Sequence, residues 1–128
     1  MSQMELKKIF IVEDDEFLRS LTVKRLEKEN YSISVAADGE SALKHLETDH
    51  PDLVLLDLLL PGVDGFQVLE KMHGNSSLAQ ILVVVFSNLG QREDIERAKG
   101  LGATDFLIKA NFTLDDVVAK VNGYMNKI

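Results

Sequence analysis

Apolar residues fall along this chain in two alternating rhythms. Short unbroken runs have the length of buried strands: KIFIV (Lys8 to Val12), SISVA (Ser32 to Ala36), LVLL (Leu53 to Leu56), ILVVVF (Ile81 to Phe86) and Thr104 to Ile108. Between them apolar residues recur at helical spacing. Phe17, Leu18, Leu21 and Leu26 follow the first run, Ala42, Leu43 and Leu46 the second, and Phe66, Leu69 and Met72 the third. Asp38-Gly39, Leu60-Pro61-Gly62 and Asp64-Gly65 mark the turns. Gln91 to Lys99 predicts a helix with only Ile95 and Ala98 turned inward, stopped by Gly100 and Gly102, so its hold on a core is expected to be weak. The last helix carries the stripe Leu114, Val117, Val118, Val121 and Met125, with Thr113 and Asp116 spaced to cap its start.

Five strands alternating with five helices predict an α/β fold, a doubly wound parallel sheet covered on both faces. Parallel neighbours need crossover helices, and strands buried on both faces read as continuous apolar runs. Ligands of such open sheets bind beyond the C-terminal strand ends. The residues just past the first, third, fourth and fifth strands are Glu13 with Asp14, then Asp57, Ser87 and Lys109, all polar after apolar runs. The second strand ends in Ala36 and Ala37 and is expected to lie outside the site.

Composition narrows what that crevice can do. The chain has 128 residues, which fit one domain, residues 1–128. With 14 basic against 21 acidic residues the net charge is −7, which argues against a nucleic-acid-binding surface or an anionic membrane partner. The absence of cysteine excludes disulfides, thiolate nucleophiles and cysteine-based zinc sites. No signal peptide and no window approaching the ~20 apolar residues of a membrane span is found, so a cytoplasmic protein without an attached output module is expected.

Asp57 sits in a run of aliphatic side chains, where an unpaired carboxylate would cost several kcal/mol. Glu13, Asp14 and Asp57 brought together would repel one another unless a cation intervened, and oxygen ligands suit Mg²⁺. Asp57, partly neutralised by that ion, could attack a phosphorus centre to form an aspartyl phosphate. Lys109 and the Ser87 hydroxyl would bind the phosphoryl oxygens.

The ordered set "IFIVEDDE", "LVLLDLLLPGVDG", "VVVFSN" and "GATDFLIKA" resembles the receiver domains of two-component response regulators over nearly the whole chain. The resemblance implies a flavodoxin-like (βα)5 fold with strand order 2-1-3-4-5. It implies Asp57 as phosphoacceptor, Glu13 and Asp14 as the acidic pair, and Mg²⁺ held by Asp14, Asp57 and the backbone carbonyl of Leu59. Ser87 resembles the switch hydroxyl, Lys109 the phosphate-contacting lysine and Phe106 the switch aromatic. The implied function is a phosphorelay switch that catalyses at most its own phosphorylation and dephosphorylation. Its implied partners are a sensor histidine kinase or phosphotransfer protein and a downstream protein.

Departures from the family pattern also carry expectations. Ala110 follows Lys109 where the family usually has a cis-linked proline, so the loop is either trans or strained. Phe106 lacks the phenolic hydroxyl frequent at the switch position. Leu59 and Leu89 stand two residues beyond Asp57 and Ser87, at positions that influence hydrolysis in the family; neither can orient water, so slow self-dephosphorylation is expected. A Mg²⁺-dependent phosphohydrolase is disfavoured because Leu59 stands where many such enzymes carry a second acid. A phosphorylation-independent interaction module is disfavoured by the intact acidic set with Lys109. His45, His50 and His73 lack ligand spacing and are expected at the surface.

Overall fold

The five apolar runs become strands of one parallel sheet because each can satisfy its backbone only against a neighbour while its side chains bury on both faces. The computed structural model describes residues 5–128. In chain order the elements are β1 (Lys8–Val12), α1 (Glu16–Glu27), β2 (Ser32–Ala36), α2 (Gly39–Leu46), β3 (Leu53–Leu56), α3 (Gly65–His73), β4 (Leu82–Ser87), α4 (Arg92–Gly100), β5 (Asp105–Ile108) and α5 (Leu114–Met125). Strand order is β2-β1-β3-β4-β5, all parallel, as expected.

Alternation along the strands splits the core into two layers. Phe10, Val12, Val54, Leu56, Val83 and Val85 face one way, under Ala42 and Leu46 of α2, Phe66, Leu69 and Met72 of α3 and Ala98 of α4. Ile9, Ile11, Leu53, Leu55, Val84 and Phe86 face the other way, under Leu26 of α1 and Val117, Val118, Val121 and Met125 of α5. No helix among the described residues is long and apolar enough to cross a membrane.

Several boundaries and faces differ from the sequence expectation. The fourth strand runs Leu82–Ser87, one residue later than predicted, because the Ile81 N–H closes a turn on the Leu78 carbonyl (3.1 Å) and Leu82 opens the register against Leu53. Ser87 is therefore the last strand residue rather than the first beyond it. The fifth strand starts at Asp105 instead of Thr104, whose hydroxyl accepts a hydrogen bond from the Val83 N–H (3.2 Å). Gly100 ends α4 from within; the stop is Gly102, at φ +98°.

In α1 the inward face is Leu18, Thr22 and Leu26, whereas Phe17 and Leu21 are 75% and 37% exposed. The side chain of Asp15 caps the helix through the Leu18 N–H (3.0 Å), which fixes where it starts. Thr22 tolerates burial because its hydroxyl donates to the Leu18 carbonyl (2.7 Å). His45 is half-buried rather than superficial. Its ring packs on Phe10 at a centroid distance of 4.4 Å and meets Asp49 at 3.1 Å, while His50 and His73 are exposed as expected.

The weak hold of α4 is as predicted. Ala98 is its one fully buried side chain and Ile95 is half-buried, while a third contact, the Arg97 guanidinium 4.1 Å from the centroid of the Phe66 ring, has no signal in the hydrophobic pattern. At the other helix layer Thr113 and Asp116 form the expected capping box of α5. The Tyr124 hydroxyl donates to Asp105 (2.6 Å), and that bond, more than burial, pushes its pKa up to about 12.

Candidate functional site

The C-terminal ends of β1, β3, β4 and β5 gather Glu13, Asp57, Ser87 and Lys109, as expected, and β2 contributes only backbone. The Glu13 N–H donates to the Ala36 carbonyl (3.1 Å), so the residue stays in the ladder one step beyond its strand. The same holds for Asp57, whose N–H donates to the Val12 carbonyl (3.0 Å). Both carboxylates are thereby pinned by backbone, and both are buried, at 4% exposure each. Asp14, by contrast, is exposed.

The cost of burying Asp57 is offset by three donors. Its Oδ1 accepts from the Ser87 hydroxyl (2.7 Å) and the Leu59 N–H (3.1 Å), and its Oδ2 from Lys109 Nζ (2.8 Å). Ser87 itself is completely buried. Lys109 Nζ also meets Glu13 Oε1 at 2.7 Å, so one ammonium bridges two acids. The other Glu13 oxygen accepts from the Asp15 N–H (3.1 Å). The two carboxylates thus share a single cation.

Electrostatics follow from that sharing. Burial pushes the Glu13 carboxyl above the usual glutamate value, against the lowering effect of Lys109 and the Asp15 N–H. Burial works against the Lys109 ammonium too, but its hydrogen bonds to Asp57 and Glu13 outweigh that and hold its pKa above the ordinary lysine value. The lysine therefore stays charged and serves as counterion to the acids.

Lys109 opens a single 3-10 turn (Lys109–Asn111), and the bond to Ala110 is trans, since no cis peptide occurs among the described residues. A trans link still delivers Nζ to the acids. Phe106 is 9% exposed and lies in the same core layer as Val85, its register partner. Ser87 is two residues beyond Val85, so the Ser87 and Phe106 side chains share one face of the sheet.

Carboxylate oxygens of Glu13, Asp14 and Asp57 all lie within 4.8 Å of one another. No hydrogen bond to the Leu59 carbonyl is found among the described residues, while its neighbour Leu58 accepts one from the Gly65 N–H (3.0 Å). An all-oxygen set with one free carbonyl fits a hard divalent cation such as Mg²⁺. The bridging of Glu13 by Lys109 and the bond from Arg19 to the Glu13 carbonyl (2.8 Å) were not visible in the sequence, since neither pair has a diagnostic spacing.

Residues 9–122 match the family described as response regulator receiver domain. The alkaline phosphatase synthesis transcriptional regulatory protein PhoP of Bacillus subtilis is 34% identical over 123 residues, covering 94% of this chain and 49% of the relative. The response regulator PleD of Caulobacter vibrioides is 40% identical over 113 residues, 87% of this chain and 24% of the relative. The chain thus spans about half or less of the length of these curated relatives. Among solved structures, a CheY-like receiver domain protein of Methanospirillum hungatei superposes with a TM-score of 0.89 at 26% identity, covering 96% of each chain. The phosphorylated cyanobacterial phytochrome response regulator RcpA superposes with a TM-score of 0.82 at 30% identity, covering 94% of this chain and 91% of that one.

Proposed function

This chain belongs to the response regulator receiver domain family, a family of signalling switches rather than metabolic enzymes, and we propose that its switch is thrown by phosphorylation of Asp57. The observation that carries the reading is the buried Asp57 carboxylate held at once by Ser87 and Lys109 beside two further acids. An Asp57 oxygen attacks phosphorus and the bond from phosphorus to the donor's leaving group breaks, leaving a mixed anhydride on the side chain. Lys109 and Ser87, which already bond the two carboxylate oxygens, transfer those bonds to the incoming phosphoryl oxygens.

Glu13, Asp14, Asp57 and the Leu59 carbonyl would hold Mg²⁺, which when bound screens the charge shared by the carboxylates and the phosphoryl group. The phosphoryl donor would be a sensor histidine kinase or a phosphotransfer protein. Several relatives are described as transcriptional regulators, but a net charge of −7 disfavours a phosphate backbone as ligand of this chain, so a protein is proposed as its direct downstream partner.

The test is intact mass after incubation with Mg²⁺ and a small acyl phosphate. One added phosphoryl group is expected on the wild type and none on Asp57→Ala. Equal uptake by both proteins, or none by either, defeats the reading.

Output follows from the shared face of Ser87 and Phe106. As the Ser87 hydroxyl moves toward the phosphoryl group, Phe106 turns into the space it leaves, and the surface of α4, β5 and α5 changes shape. Methyl and aromatic NMR signals are expected to shift around Phe106 and along α4 on phosphorylation. Shifts confined to the neighbours of Asp57 would break the coupling.

The lifetime of the phosphorylated form is set by water. Leu59, 47% exposed, and half-buried Leu89 offer no group to orient one, so slow self-dephosphorylation is expected. Loss of the phosphoryl group within seconds of removing the donor would contradict this.

A further inference from the structure

Two helices begin on glycines that no side chain can replace without moving backbone. A Cβ on Gly39, the first residue of α2, would lie 1.9 Å from the Val63 carbonyl oxygen and 2.8 Å from its carbon. A Cβ on Gly65, the first residue of α3, would lie 2.4 Å from the Asp57 peptide oxygen and 2.5 Å from Leu58 Cα. By contrast, Gly100 and Gly123 face open space.

Both approaches press on the same segment, residues 57–64, which carries the Asp57 carboxylate at one end and the free Leu59 carbonyl near it. Leu59 is 47% exposed, so packing of its own side chain does little to seat its peptide. What seats it is the Leu59 N–H bond to Asp57, the Gly65 N–H bond to Leu58, and the half-buried Leu60 and Val63 against the core. The glycine contacts fix how closely α2 and α3 may approach that segment from either side.

The magnitudes make this matter. Cβ contacts below 3.0 Å do not occur, so an alanine at position 39 displaces the Val63 carbonyl or α2 by about 1 Å from its 1.9 Å starting point. Mg²⁺ requires near-ideal octahedral geometry at about 2.0–2.1 Å, so the part of such a displacement that travels along residues 57–64 to the Leu59 carbonyl and the Asp57 carboxylate weakens its coordination.

We infer that Gly39 and Gly65 are positioning residues for the metal: their close backbone approaches seat residues 57–64, which carry the Asp57 carboxylate and the Leu59 carbonyl, and a side chain at either position loosens Mg²⁺ binding. This rests on the reading of those oxygens as metal ligands. Gly39 is the informative case, because α2 supplies no ligand and has no other part in the site.

The experiment is calorimetric titration of Mg²⁺ into the full chain carrying Gly39→Ala or Gly65→Ala. The dissociation constant is expected to rise about tenfold or more in each, as when support around a metal ligand is lost. Leu26→Ala, in the last turn of α1 at the opposite end of the sheet, serves as a destabilised control and should bind as the wild type does. A glycine variant that does not fold in buffer is titrated in trimethylamine N-oxide, with the wild type measured alongside.

A rise of less than about threefold in Gly39→Ala overturns the inference, as does an equal rise in Leu26→Ala. A wild type that takes up a phosphoryl group and binds Mg²⁺ while the glycine variants match it defeats this inference alone. A wild type that binds no Mg²⁺ defeats the metal reading and this inference with it.

Discussion

Replacing Lys109 with alanine or methionine is expected to destabilise the metal-free protein by about 3 kcal/mol, near the lower end of the range for removing one partner of a buried ion pair. The ammonium bridges Glu13 and Asp57 at 2.7 and 2.8 Å, and all three side chains are shielded, Lys109 at 13% exposure. Without it two carboxylates remain side by side in a poorly solvated place. The loss stays at the lower end because Glu13, whose carboxyl burial already pushes up, can take a proton instead of keeping its charge. Methionine retains most of the aliphatic stem, so similar losses in the two variants assign the effect to charge. Urea unfolding with and without millimolar Mg²⁺ measures it. Magnesium is expected to narrow the deficit, since a ligand that binds only the folded state stabilises it and the acids freed of the ammonium hold the cation more tightly than in the wild type. A deficit below about 1 kcal/mol, typical of exposed ion pairs, would show that the lysine is not the counterion of the acid pair.

Phe10→Ala is expected to cost about 3–5 kcal/mol, the range for deleting a large buried aromatic side chain. Phe10 is completely buried in the centre of β1, between β2 and β3, and its ring packs against His45 at 4.4 Å. Truncation leaves a cavity under α2 and also removes the surface that orients His45 toward Asp49, which in turn meets Lys8 at 3.0 Å. The loss appears as a lower urea midpoint with an unchanged slope. A loss under about 1.5 kcal/mol would mean that α2 and the sheet close over the vacancy.

The strands and their polar ends were legible because two strong signals coincide there. An apolar run buried on both faces admits no charge, so the point where acids, a serine or a lysine begin marks the sheet end within a residue or so. Ser87 illustrates the margin, being the final strand residue rather than the first outside it. The rotation of α1 was not legible, because Phe17 with Leu21 and Leu18 with Leu26 each fit a helical stripe. The Asp15 cap sets where the helix starts and the satisfied hydroxyl lets Thr22 join Leu18 and Leu26 on the inward face, and both are local hydrogen bonds that hydrophobic periodicity does not encode. For the same reason His45 read as a surface residue: nothing in its neighbourhood along the chain announces Phe10. The acidic cluster could be anticipated, but the bridging of Glu13 by Lys109 joins residues three quarters of the chain apart.

The light attachment of α4 sets how the molecule can change shape. One buried alanine, one half-buried isoleucine and an arginine laid across an aromatic ring fasten a nine-residue helix, and contacts of the last kind contribute only about 0.5–2 kcal/mol. The central strands β1 and β3, bonded on both edges and covered on both sides, are fixed far more firmly. A disturbance that begins at the sheet end is therefore expected to leave the scaffold in register and to fall on the periphery. Such a division lets a chain of this size yield locally, through partial opening of its least anchored segment, without approaching global unfolding.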